Sequence, residues 1–166
     1  MKVENRKKFI YSTLIIIIVF FLDRFTKLYI LSLAKINSSV DIFLTKYLNI
    51  YLIWNEGIAF GLLSFDQGSL YNVITVLIII ISIALLLLII KTNDVRFYFY
   101  STVLGGALGN LFDRLHYSAV PDFIDLHINS YHWFIFNVAD IFVTIGVLCL
   151  ILVELIFNKS LENEKK

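Results

Sequence analysis

Four stretches of this 166-residue chain are apolar over a length that could cross a bilayer, and shorter mixed or charged stretches separate them. A helix needs about 20 apolar residues to span the hydrocarbon core. The first candidate follows a basic leader holding Lys2, Arg6, Lys7 and Lys8. It runs almost purely apolar from Phe9 to Leu22, meets Asp23-Arg-Phe-Thr-Lys27, and continues apolar from Leu28 to Ala34. A basic leader before an apolar run also describes a cleaved secretory signal. Here a charged turn follows instead of small residues, so the pattern predicts a retained signal anchor over about 9–34. The second span is predicted at 70–90, uninterrupted by charge. The third, at 97–114, carries Gly105 and Gly109 four apart, a spacing that lets another helix approach closely. The fourth is predicted at about 136–157, before a charged tail.

Between the first two spans, about 35–68, the pattern changes period. From Tyr47 to Trp54 the residues alternate and are rich in aromatic and β-branched types, which predicts a strand. The following Asn55-Glu-Gly57 marks a turn. A small extramembrane sheet is therefore expected in this segment. The stretch from Val120 to Asp140 reads as a short polar connector lying outside the bilayer. The fold expected is an all-α membrane protein, one domain over 1–166, with four transmembrane helices and a small β-containing segment.

Composition sharpens the class. Hydrophobic residues make up 59% and charged residues 16%, and mean hydropathy is +0.83, far from soluble averages. The net charge of +1 offers no field for nucleic acid. The one cysteine, Cys149, lies within an apolar run and reads as packing. Lysines and arginines number four in the leader, two in the 91–96 turn and three in the tail. The positive-inside rule then places both termini in the cytoplasm. The 35–68 segment, the Val120–Asp140 stretch and the polar ends of the first and third spans share the outer face.

The polar residues converge there. Asp23 and Lys27 have the favourable order for a helical ion pair, which reads as support for charges inside the membrane. Asn110, Asp113 and Arg114 lie on the last turn of span three; Asn110 and Arg114 share a face, and an Asp/Arg clamp would account for Asp113. Asn137 and Asp140 begin span four, where the helix dipole tolerates an acid. That tolerance leaves Asp122 and Asp125 unexplained. Were Asp122 and Asp140 to face one another, one of them would be pushed toward its protonated form. Such a pair polarises water for attack on a peptide carbonyl. No serine has a histidine and an acid suitably placed around it. His116, His127 and His132 lack the spacing of a zinc site and read as solvated loop or interface residues.

Five motifs in order resemble the lipoprotein signal peptidases (signal peptidase II), membrane aspartyl peptidases of bacteria. They are Asp23-Arg-Phe-Thr-Lys27, Asn55-Glu-Gly-Ile-Ala-Phe-Gly61, Gly105-Gly-Ala-Leu-Gly-Asn-Leu-Phe-Asp-Arg114, Val120-Pro-Asp-Phe-Ile-Asp125 and Phe136-Asn-Val-Ala-Asp140. The resemblance implies a catalytic dyad of Asp122 and Asp140, with Asn55, Gly57, Asn110, Arg114 and Asn137 lining or ordering the site. It implies that Asp23, Lys27 and Asp113 hold the frame and that Asp125 is not a catalyst. The implied substrate is a prolipoprotein cut just before its diacylglyceryl cysteine, with no metal or cofactor, acting as a monomer at the outer face of a bacterial inner membrane. Three positions depart from the family's pattern: Pro121 for a small aliphatic residue, Arg24 for Gln and Ile58 for Ala. The competing classes are a small proton-coupled transporter, since membrane acids often relay protons, and a non-enzymatic assembly factor.

Overall fold

The computed structural model describes residues 3–57, 67–128 and 131–163. Helices α1 (Val3–Asn37), α2 (Gln67–Lys91) and α3 (Arg96–Tyr117) enclose the first three predicted apolar stretches, and α4 (Val138–Asn163) covers the fourth from its third residue on. Strands β1 (Asp41–Thr45) and β2 (Leu48–Asn55) follow α1, and β3 (Val120–Ile128) and β4 (Tyr131–Phe136) lie between α3 and α4. Residues 58–66 lie outside the described set, and with them Ile58–Gly61 of the second motif and the later part of the 35–68 segment.

The helices are held on α3. Leu85 and Ile89 of α2 pack with Val103 and Leu104 of α3 to form the helical core. The backbones of α1 and α4 come close because α3 is thin on two flanks. A Cβ at Gly105 would stand 2.8 Å from Val19 Cβ, and one at Gly106 only 2.6 Å from Ala139 O. Elsewhere the helices turn apolar side chains outward, such as Leu77, Ile80 and Leu87 on α2 and Leu148 and Leu152 on α4. A helix apolar all round needs an apolar surrounding. By length and composition, Tyr71–Lys91 and Val138–Phe157 are suited to cross a membrane. The leader does more than carry charge: Lys8 is buried and donates to Ile90 O, Thr92 O and Asn93 Oδ1, closing the C-terminal end of α2.

The four strands form one antiparallel sheet in the order β1-β2-β3-β4. The strand expected at 47–54 is β2, displaced by one residue. Most of the Val120–Asp140 stretch, expected as a polar connector, is instead the β3–β4 hairpin, which supplies half the sheet, so the β-containing part draws on two separate segments of the chain. Its signal was masked because two aspartates interrupt the apolar alternation, and their burial depends on partners from other elements. Pro121 lies within β3 opposite Trp54, beyond the reach of β4, whose pairing starts at Ile124. A proline is tolerated where a strand has a neighbour on one side only. Along β3 the side chains alternate. Phe123 joins Ile30 of α1 and Val40 in a second core that seats the sheet on the end of α1, while Asp122 points to the opposite face.

Candidate active site

The site starts at the N-terminus of α4, where two residues satisfy each other. Asn137 precedes the helix, and its Oδ1 accepts from Asp140 N at 3.2 Å, while Asp140 Oδ2 accepts from Asn137 N at 3.0 Å. This reciprocal arrangement is a capping box with an acid at its third position. It leaves Asn137 Nδ2 free to donate to Asp122 Oδ1 at 2.6 Å. One residue therefore bridges both carboxylates.

Each acid holds a second amide donor. Asn55 Nδ2, from the end of β2, donates to Asp122 Oδ2 at 2.8 Å, and its Oδ1 accepts from Gly57 N at 2.7 Å. Gly57 has φ +92, a conformation glycine adopts freely. Asn110 Nδ2, from α3, donates to Asp140 Oδ1 at 2.8 Å. Asp122 is 2% exposed and Asp140 partly exposed. Burial pushes the Asp122 carboxyl up to about 6; the Asn55 and Asn137 hydrogen bonds oppose this, and the nearby Asp140 charge adds to it.

Behind the acids lies a buried ionic frame. Lys27 Nζ donates to Asp23 Oδ2 at 2.8 Å, Asp113 Oδ2 at 2.7 Å and Asn110 Oδ1 at 2.9 Å, using all three of its protons. Because an ammonium can only donate, Asn110 must turn its oxygen to Lys27 and its amide nitrogen to Asp140. Asp23 Oδ1 accepts from Ala139 N at 3.0 Å, which anchors the first turn of α4 to α1. Asp113 pairs with Arg24 at 2.6 Å rather than clamping with Arg114. Arg24 also lies over the Phe112 ring at 4.8 Å. Two acids and two bases thus balance where an unpaired charge would be costly.

Arg114 does not join Asn110. Its guanidinium lies against Gly57 and 5.2 Å over the Tyr71 ring, and Tyr71 Oη donates to its carbonyl oxygen. Among the described residues its Nε and Nη1 have no hydrogen-bond partner, although the residue is 8% exposed. On the other side of the acids, Leu126, Phe134, Phe136, Ile141, Thr144 and Ile145 form an apolar groove of about 490 Å³ with Asp140 in its wall.

Of the three histidines read as solvated, only His127 departs from expectation. Asp125 is fully buried and His127 is 7% exposed, while His116 and His132 are exposed. His127 lies on the face of β3 that packs inward, which a loop reading could not show. Spacing also missed Arg24, because its partner Asp113 is on another helix. Among the described residues, no three His, Cys, Asp or Glu side chains converge as metal ligands. Chemically, two bridged carboxylates, one of them held toward its protonated form, can serve as paired acid and base.

Comparison with known proteins places the chain in a family. A family model described as "Signal peptidase (SPase) II" matches residues 15–157. A "Lipoprotein signal peptidase" of Pelagibacter ubique (strain HTCC1062) is 56% identical over 161 residues, covering 97% of both chains. A protein of the same name from Anaplasma phagocytophilum (strain HZ) is 39% identical over 153 residues, covering 90% of this chain and 94% of its own. Two solved structures titled as a bacterial membrane enzyme, each 35% identical, align with TM-scores of 0.71 and 0.70. They cover 90% and 87% of this chain and 89% and 92% of their own. From the match along most of its length and the acids held at the start of α4, the chain belongs to the signal peptidase II family.

Proposed function

We propose that this protein is an aspartic endopeptidase that removes the signal peptide from diacylglyceryl-modified prolipoproteins, cutting before the lipidated cysteine. The observation that carries the reading is the bridging of Asp122 and Asp140 by Asn137. In the proposed reaction the pair shares one proton. Asp140 takes a proton from water as the water oxygen bonds to the scissile carbonyl carbon, and Asp122 gives its proton to the carbonyl oxygen. The tetrahedral intermediate collapses as its C–N bond breaks: Asp140 gives its proton to the leaving cysteine nitrogen, and Asp122 takes a proton back from a hydroxyl as the new carboxyl group forms. Burial of Asp122, which favours its protonated form, supports this assignment of the acid.

The remaining roles follow from position. Asn55, Asn110 and Asn137 aim the carboxylates. Arg114 lies beside Gly57, and its two guanidinium nitrogens without a partner among the described residues suit a substrate carbonyl. The apolar groove beside Asp140 suits an acyl chain or the apolar part of a signal peptide, both of which would reach it from lipid. We read all four helices as spans, with both termini cytoplasmic and the sheet at the outer face of the inner membrane. Acids at a helix start and on a sheet favour this reading over a transporter, whose ionisable groups tend to lie near the bilayer midplane.

The test is cleavage of a diacylglyceryl-modified prolipoprotein by the purified protein in detergent. Release of the signal peptide is expected from the native chain, and none from Asp122→Asn or Asp140→Asn proteins that still insert. Normal turnover by either variant would remove the dyad assignment.

A further inference from the structure

On the face of the sheet away from the dyad, Asp41, Phe43, Asn49, Tyr51, Asp125, His127, His132 and Ile135 surround a cavity of about 740 Å³. Its centre is Asp125, fully buried three residues along β3 from Asp122. His132 of β4 donates from Nδ1 to both carboxylate oxygens of Asp125, at 2.8 and 3.0 Å. His127 stands by with Nδ1 3.7 Å away. Of the described residues lining the cavity, these two histidines alone can carry positive charge, while Asp41 adds negative charge from β1.

We infer that the Asp125–His132 link is a positioning device for the dyad, locking β4 in the register that delivers Asn137 to Asp122 and Asp140. The need for a lock is visible in the ladder. Leu126 pairs with Phe134, but His127 pairs with His132, so β4 carries one extra residue just where the hairpin turns. The bulge leaves Trp133 without a ladder partner and interrupts the backbone ladder there, and one residue of slip moves a strand by about 3.3 Å. Asn137 follows immediately after β4. The same slip would draw its side chain from Asp122 and its N–H from Asp140. The His132 Nδ1–H, shared between both Asp125 oxygens, joins the strands across the bulge and removes that freedom.

This inference rests on the proposed peptidase reading, and its experiment separates the two. His132→Ala, His132→Asn and native proteins are compared for kcat, KM, thermal unfolding in detergent and the pH at which Asp122 titrates by infrared spectroscopy. Asn is chosen because its Nδ2 takes the place of the imidazole Nδ1. The Ala variant should remain folded and lose kcat by about tenfold or more, since small misplacements at a reacting centre are costly. Its KM should stay close to native. Its Asp122 should titrate higher, because the Asn137 hydrogen bond that favours the ionised form is weakened. The Asn variant should recover most of the lost kcat and the native titration. Native kcat in the Ala variant overturns the inference, as does a loss that Asn fails to rescue. If Asp122→Asn remains active, it is the peptidase reading that fails.

Discussion

At the scale of single residues, asparagines hold the two carboxylates. Asn137 touches both acids, and Asn110 is oriented by Lys27 so that only its amide nitrogen is available to Asp140. The Asp122 carboxyl, raised by burial to about 6, yields a measurable expectation. An infrared titration should show one carboxyl losing its proton near pH 6, absent in Asp122→Asn. Asp140→Asn should move that titration to lower pH, because the Asp140 charge helps hold the proton on Asp122. By linkage, a carboxyl raised in the folded state adds stability that is present below its ordinary 3.8 and lost as pH rises through about 6. A second expectation concerns the frame. Lys27→Met leaves Asp23 and Asp113 buried with only Arg24 as a cation, and breaking a buried pair costs about 3–5 kcal/mol. The variant should unfold at lower temperature in detergent and lose cleavage, since Asn110 is no longer held.

At the scale of elements, α3 and the β3–β4 hairpin set the geometry. The glycines of α3 are there for approach rather than flexibility: a Cβ at Gly109 would lie 2.6 Å from Asp23 Oδ2. Alanine in a helix interior gains about 1 kcal/mol over glycine, but over-packing costs about 1–3 kcal/mol. Here it also pushes on the carboxylate that anchors Ala139. Gly109→Ala is therefore expected to lower the unfolding temperature and activity together; an unchanged or more stable protein would show that α1 and α3 can separate at no cost. The helices were legible in the sequence because apolar runs of that length have few alternatives. The hairpin was not, because Asp122 and Asp125 belong in β3 only once Asn55, Asn137 and His132 are there to receive them.

At the scale of the whole molecule, polar chemistry gathers at one end of an apolar bundle, beneath a sheet made from two distant parts of the chain. The proposed orientation predicts that a cysteine placed at Tyr131, with Cys149 replaced by alanine, reacts with a membrane-impermeant thiol reagent in intact cells. One placed at Asn93 should react only after the membrane is opened. The reverse pattern would invert the topology.

The sequence by itself determined the membrane class, the four helices, the β2 strand and the Asp23–Lys27 pair. Each of these depends on residues close in the chain, where periodicity and spacing speak directly. Only the tertiary structure decided that Arg24 balances Asp113, that Arg114 turns to Gly57 and Tyr71, and that Asp125 is tied to His132. It also decided that the connector is half of a sheet. Those outcomes turn on which buried polar group finds which partner across elements. The cost of leaving a group unsatisfied, rather than any local preference, makes the choice.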